Sequence, residues 1–171
     1  MIASRALARP IIVAALALLI VNDHVLKAAY PGLVTGKLSD VCGLVFFPLL
    51  LAAAAEQVGL RRGMKAIVIA VITTGLVFAA IKLWQPAAEL YRVGLAVLQW
   101  PFRAGWAVLA GRSVPPIGRV QFVVDHTDLV ALVALAMPLL VARRCQEDGI
   151  GSELRSQERH RRCDRGPRAQ A

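Results

Sequence analysis

Residues 10–22, 41–55, 66–81 and 129–142 contain no Asp, Glu, Lys or Arg, and most of their residues are Ala, Val, Leu or Ile. A helix needs about 20 such residues to cross the roughly 30 Å hydrocarbon core of a bilayer. Each run therefore predicts a membrane span once its flanks are included. The chain as a whole agrees, with 171 residues, 57% of them hydrophobic and only 6% aromatic, and a mean hydropathy of +0.60. That is too apolar for an ordinary soluble domain.

The spacing predicts an all-α fold, a polytopic transmembrane helix bundle of four spans. Residues 1–142 form the membrane domain and residues 143–171 a basic, disordered cytoplasmic tail. The first span runs from about residue 7 to 26. A cleaved signal peptide fits it less well, because no small-x-small site follows and Lys27 stands two residues before Ala29. Residues 28–39 read as a loop, with Pro31-Gly32 as a turn signal and Gly36 as a second flexible point. Ser39 or Asp40 would cap a second span over residues 41–55, bent at Pro48. A third span covers residues 66–83 and ends at Lys82 and Trp84. A fourth covers residues 129–141.

Residues 87–106 are apolar in short runs, with Tyr91, Trp100 and Trp106 between them. They predict an interfacial helix between spans three and four; a fifth span over residues 87–110 is the alternative. Residues 111–119 read as a loop.

The formal net charge is +9. Arg5, Arg9, Arg61, Arg62, Lys65, Arg143 and Arg144 all lie close to span ends on one side of the four-span arrangement. The positive-inside rule then puts both termini in the cytoplasm. In the tail, eight Arg face five acids over 29 residues, which reads as a solvated segment or as contact with anionic lipid. The basic balance thus reflects topology, and no aromatic interleaving points to nucleic acid.

That topology brings Asn22, Asp23, His24, Lys27, Thr35, Lys37, Ser39, Asp40, Lys82, Asp125 and Asp128 to the extracytoplasmic face. These residues are the candidate polar site. Polar groups at a membrane edge are costly, so they mark a structural or functional role. Asp40, Asp125, Asp128 and Lys82 sit where a helix dipole favours their charge. Asp23 lies near the end of its helix, where the dipole opposes an anion. It needs a cation, and Lys27, Lys37 and Lys82 are the candidates.

Familiar chemistries match poorly. Thr35-Gly36-Lys37 is not a phosphate loop, since Gly32 is one residue too close and Leu38 follows the lysine. Ser39 with His24 and an Asp lacks a nucleophile-elbow pattern. His24, His126 and the four Asp have no metal-ligand spacing, and Cys145, His160 and Cys163 fit no zinc module. Three cysteines make no disulfide framework. No metal and no cofactor is expected.

The motifs N-D-H at 22–24, P-G-x-x-T-G-K-L-S-D at 31–40, G-L-x-F-F-P-L at 43–49 and D-x-T-D-L at 125–129 resemble a family of small bacterial multi-pass membrane proteins without an assigned activity. The resemblance covers most of residues 10–142. Such proteins often carry Pro where His126 stands, which counts against His126 as a ligand. The resemblance implies a bacterial inner membrane protein and no known chemistry; sixteen Arg against four Lys suit a GC-rich bacterium.

Three functions follow as expectations. The first is a membrane protein whose polar cluster is a structural or partner-binding network, the partners being the lipid bilayer and another membrane protein or a second copy. The second is a membrane-embedded hydrolase acting on a lipid-linked or amphipathic substrate. The third is a small proton-coupled transporter, disfavoured because Thr73 and Thr74 are the only polar residues found deep in the spans.

Overall fold

The computed structural model describes residues 2–30, 32–60, 62–117 and 126–164, and these are all-helical with no strand among them. The order is α1 (Ile2–Leu7), α2 (Pro10–Val21), a π-helical segment (Asn22–Leu26), α3 (Lys27–Ala29), α4 (Leu33–Gln57), α5 (Met64–Leu83), α6 (Gln85–Leu109), a 3-10 segment (His126–Leu135) and α7 (Ala136–Asp164). Three helical stretches are long and apolar enough to cross a membrane: Pro10–Ala29, Leu33–Gln57 and Met64–Leu83.

α4 is the central element. α1, α2, the π segment, α5, the 3-10 segment and α7 all pack on it. The core runs along it through Val45, Leu49, Ala52 and Ala53, against Ile12 of α2, Ile67, Ala70 and Val71 of α5, and Val141 and Ala142 of α7. Small residues let these helices approach closely. At Gly75 a Cβ would lie 2.9 Å from Leu135 Cδ1, so a bare backbone admits the 3-10 segment against α5.

Several boundaries differ from those the sequence predicts. The first span begins at Pro10 rather than residue 7, because α1 is a separate short helix ending before Arg9. Proline suits the first turn, where its missing N–H costs nothing. Residues 33–39 are helix rather than loop. Thr35 makes this start possible, its Oγ1 accepting from Gly32 N at 3.2 Å, the return half of a capping box. Ser39 and Asp40 are therefore not caps but lie beyond the first turn of α4. The helix continues through Pro48 to Gln57.

Residues 85–109 form one continuous helix, longer than the predicted interfacial segment. Among the described residues α6 packs chiefly on α5. It is the most amphipathic of the long helices. Ala88, Ala96 and Ala107 are buried, and Leu90, Leu98, Phe102 and Trp106 are exposed.

Residues 143–164 are helical, where composition predicts a disordered tail. They extend a helix that is already nucleated at Ala136, so only propagation is required. Arg9 ties this extension to the bundle, its guanidinium pairing with Asp148 and donating from Nε to Cys145 Sγ at 3.2 Å. These contacts push the Arg9 pKa up, the Cys145 hydrogen bond first and Asp148 next.

Candidate functional site

The polar residues of the π segment, the start of α4, the end of α5 and the 3-10 segment meet at one end of the bundle. In the π segment the Lys27 N–H bonds to the carbonyl of Asn22, five residues back. Such wide turns shift side-chain register and recur at functional sites. Asn22 is fully buried and crosslinks two elements. Its Nδ2 donates to Thr35 O at 2.7 Å and to Ser39 Oγ at 2.8 Å. Its Oδ1 is buried without a partner.

Ser39 Oγ donates to Asp23 Oδ1 at 2.5 Å. Of the three lysines able to neutralise Asp23, Lys27 does so, at 2.7 Å and one turn on. Both side chains are about two-fifths exposed, 41% for Lys27 and 43% for Asp23. Thr35 is buried, and its Oγ1 lies 3.2 Å from Tyr30 O and 3.0 Å from Gly32 O.

The centre of the site is Lys82. The sequence places it at an interface, yet only 3% of the residue is exposed. It lies on the last turn of α5, on the side facing α4 and the 3-10 segment. Its Nζ is 2.9 Å from Asp40 Oδ2 and 2.5 Å from Asp128 Oδ2. The Phe78 ring lies beneath it at 5.4 Å. Asp128 also faces Lys37 at 3.4 Å through Oδ1, and Lys37 donates to Thr127 Oγ1 at 2.5 Å. Three helical segments thus contribute Asp40, Lys82 and Asp128 to one ion triad, with Lys82 and Asp128 buried and Asp40 partly exposed. Asp40 depends on Lys82, since the dipole effect fades within the first helical turn.

The remaining candidates stand apart. His24 and His126 are exposed, and Asp125 lies outside the described residues. No group of three His, Cys, Asp or Glu among the described residues is placed to hold a metal ion. Between Asp40 and Asp128, the place of a cation is filled by the Lys82 ammonium. Ser39 is oriented by Asn22 and Asp23, and Asp23 is already paired with Lys27.

A second polar point was not singled out from the sequence. Glu56, which reads as part of a tight connection, is fully buried at the opposite end. Its Oε1 accepts from Gly63 N at 3.1 Å and Ala3 N at 3.5 Å, and Oε2 has no partner. It closes the α4–α5 turn and holds α1 against the bundle. An acid at a helix C-terminus, without a cation one turn away, is the signal that would have found it.

Comparison with protein-family models, curated proteins and solved structures finds no match.

Proposed function

We propose that the chain is a small multi-pass membrane protein with four crossings and both termini in the cytoplasm. Its Asp/Lys/Ser/Asn cluster works as a non-catalytic clasp at the extracytoplasmic end. The clasp holds the helices in the arrangement that meets lipid and a membrane-embedded partner. The observation that carries this reading is the burial of Lys82 between Asp40 and Asp128. Removing one partner of a buried ion pair is strongly destabilising, whereas general acid–base catalysis needs a group within reach of substrate.

The fourth crossing is supported by the polar contacts. Asp128 meets Lys82 at one end of the bundle, and Cys145 meets Arg9 at the other. The path between them, partly 3-10 and partly α, rises about 29 Å. α6, with its apolar side outward, is read as an interfacial helix on the outer leaflet. The bacterial inner membrane is the location that the positive-inside pattern and the family resemblance favour.

The hydrolase alternative is supported less well. Ser39 donates to Asp23 rather than to His24, and two cavities, along α4 and α5, lie away from the cluster. The test is thermal unfolding in detergent of Lys82→Met beside the neutral triple Asp40→Asn/Lys82→Met/Asp128→Asn. A clasp requires the single variant to be the less stable of the two. A single variant as stable as the parent overturns the clasp and returns the cluster to chemistry.

A further inference from the structure

α4 and α5 are joined by a tight turn and pack through small side chains. Ala52, Ala55, Ala66 and Ala70 floor a shallow apolar groove between them, walled by Ile69 and Thr73, with a volume of about 190 Å³. A second cavity of about 270 Å³ shares Ile69 and runs to Lys65. Together they follow α5 toward its N-terminus, where Lys65 and Arg62 are exposed.

The charges at that mouth are unlike those of the clasp. The chain has four lysines, and Lys27, Lys37 and Lys82 each face an Asp. Among the described residues neither Lys65 nor Arg62 has an ion-pair partner. Glu56, on the adjoining turn of α4, points its bonded oxygen at the Gly63 and Ala3 N–H groups. An apolar groove therefore ends at the uncompensated Lys65, with the exposed Arg62 three residues before it in the chain.

We propose that this groove binds an anionic phospholipid, with one acyl chain along α4 and α5 and the phosphate at Lys65 and Arg62. The inference rests on the membrane reading above. A second copy of the chain fits less well. Two copies share one orientation in a membrane, so a symmetric contact here would set Lys65 and Arg62 of both at the same depth. A lipid phosphate instead supplies the missing anion. In the bilayer an acyl chain gains little from leaving other chains, so selectivity comes from the headgroup, at about fivefold in affinity per basic residue.

The experiment uses the full chain in a non-ionic detergent and native mass spectrometry with added phosphatidylglycerol or phosphatidylcholine. Phosphatidylglycerol is expected to bind more tightly. Arg62→Ala with Lys65→Ala should weaken it by about 25-fold, leaving phosphatidylcholine unchanged. Ala55→Leu, or Thr73→Leu at the exposed wall should the first lower Tm, should weaken both lipids by filling the groove. The proposal is overturned if the double variant binds phosphatidylglycerol like the parent, or if glycerol phosphate alone displaces it. Carbonate extraction of membranes separates the two levels. Release of the chain overturns the membrane reading and this inference together. Retention without preference for phosphatidylglycerol overturns this inference alone.

Discussion

At Lys82 one ammonium group stands between carboxylates from two other segments, with the side chain 4% exposed. Removing it leaves Asp40 without a cation in a poorly hydrated place, and such a loss costs about 3–5 kcal/mol. Lys82→Met should therefore lower the melting temperature in detergent sharply. Adding Asp40→Asn should recover part of the loss, because Asp128 keeps Lys37, and contacting pairs are not additive. A double variant no more stable than Lys82→Met would mean that the charges do not act on each other. Asp23 behaves differently. Its pairing with Lys27 is an exposed contact one helical turn apart, worth about 0.3–0.5 kcal/mol. Asp23→Asn should shift the melting temperature only slightly, and a large drop would mean that the Ser39 bond is the important one. The need of Asp23 for a cation was legible in the sequence, because the helix dipole opposes it. Lys27, four residues on and on the same helical face, was legible as a partner too, but the convergence of Asp40 and Asp128 on Lys82 was not. Partners 42 and 46 residues apart leave no periodic trace. Glu56 met the same dipole criterion as Asp23 and was hidden among its polar neighbours.

The elements that carry the clasp are not all α-helical, and the proposed fourth crossing offers a reason in length. The uncharged run 129–142 has 14 residues, which as α-helix would rise about 21 Å, short of a bilayer core. A 3-10 segment rises about 2.0 Å per residue instead of 1.5. Drawing His126–Leu135 out in this way lets Asp128 reach Lys82 while α7 keeps its contact with Arg9. The close fit of Leu135 on Gly75 holds the segment in place. Gly75→Val should force these side chains apart and cost about 1–3 kcal/mol. Leu135→Ala in the same chain should return part of that, read as melting temperature. No recovery would mean that the two do not share a contact. The long apolar helices were readable because uncharged runs admit few alternatives. The start of α4 was not, since Pro31, Gly32 and Gly36 signal a turn and Thr35 reverses that signal through one hydrogen bond to Gly32. For α6, cysteines placed along residues 87–106 should alternate in reactivity with helical period, Leu90, Leu98 and Phe102 being shielded by lipid. A continuous protected block of about 20 residues would make α6 a further span.

For the whole molecule, the proposed topology rests on parity. α1 and Glu56 meet at one end, and Arg9 meets Cys145 and Asp148 there as well. The N-terminal helix and the start of the charged part of α7 therefore lie on one face. A chain that leaves that face at Pro10 and returns to it by Cys145 crosses an even number of times. Pro10–Ala29, Leu33–Gln57 and Met64–Leu83 are long and apolar enough for three crossings, so the proposed topology puts a fourth between Leu83 and Cys145. The uncharged run 129–142 would supply it with no charge, whereas α6 would carry Glu89 and Arg92, which pair with each other, and Arg103 into the lipid, where charged side chains are costly. In the proposed topology Arg5, Arg9, Arg62, Lys65, Arg143 and Arg144 share that face, and the positive-inside rule is the ground for proposing that it is cytoplasmic. Reporter fusions after Arg112 and after Arg144 should then report opposite sides of the membrane, the second cytoplasmic. Were both to report the same side, the fourth crossing would be lost. Asp128 could then reach Lys82 only in a chain that does not span at residues 129–142, and the clasp would have to form outside the bilayer.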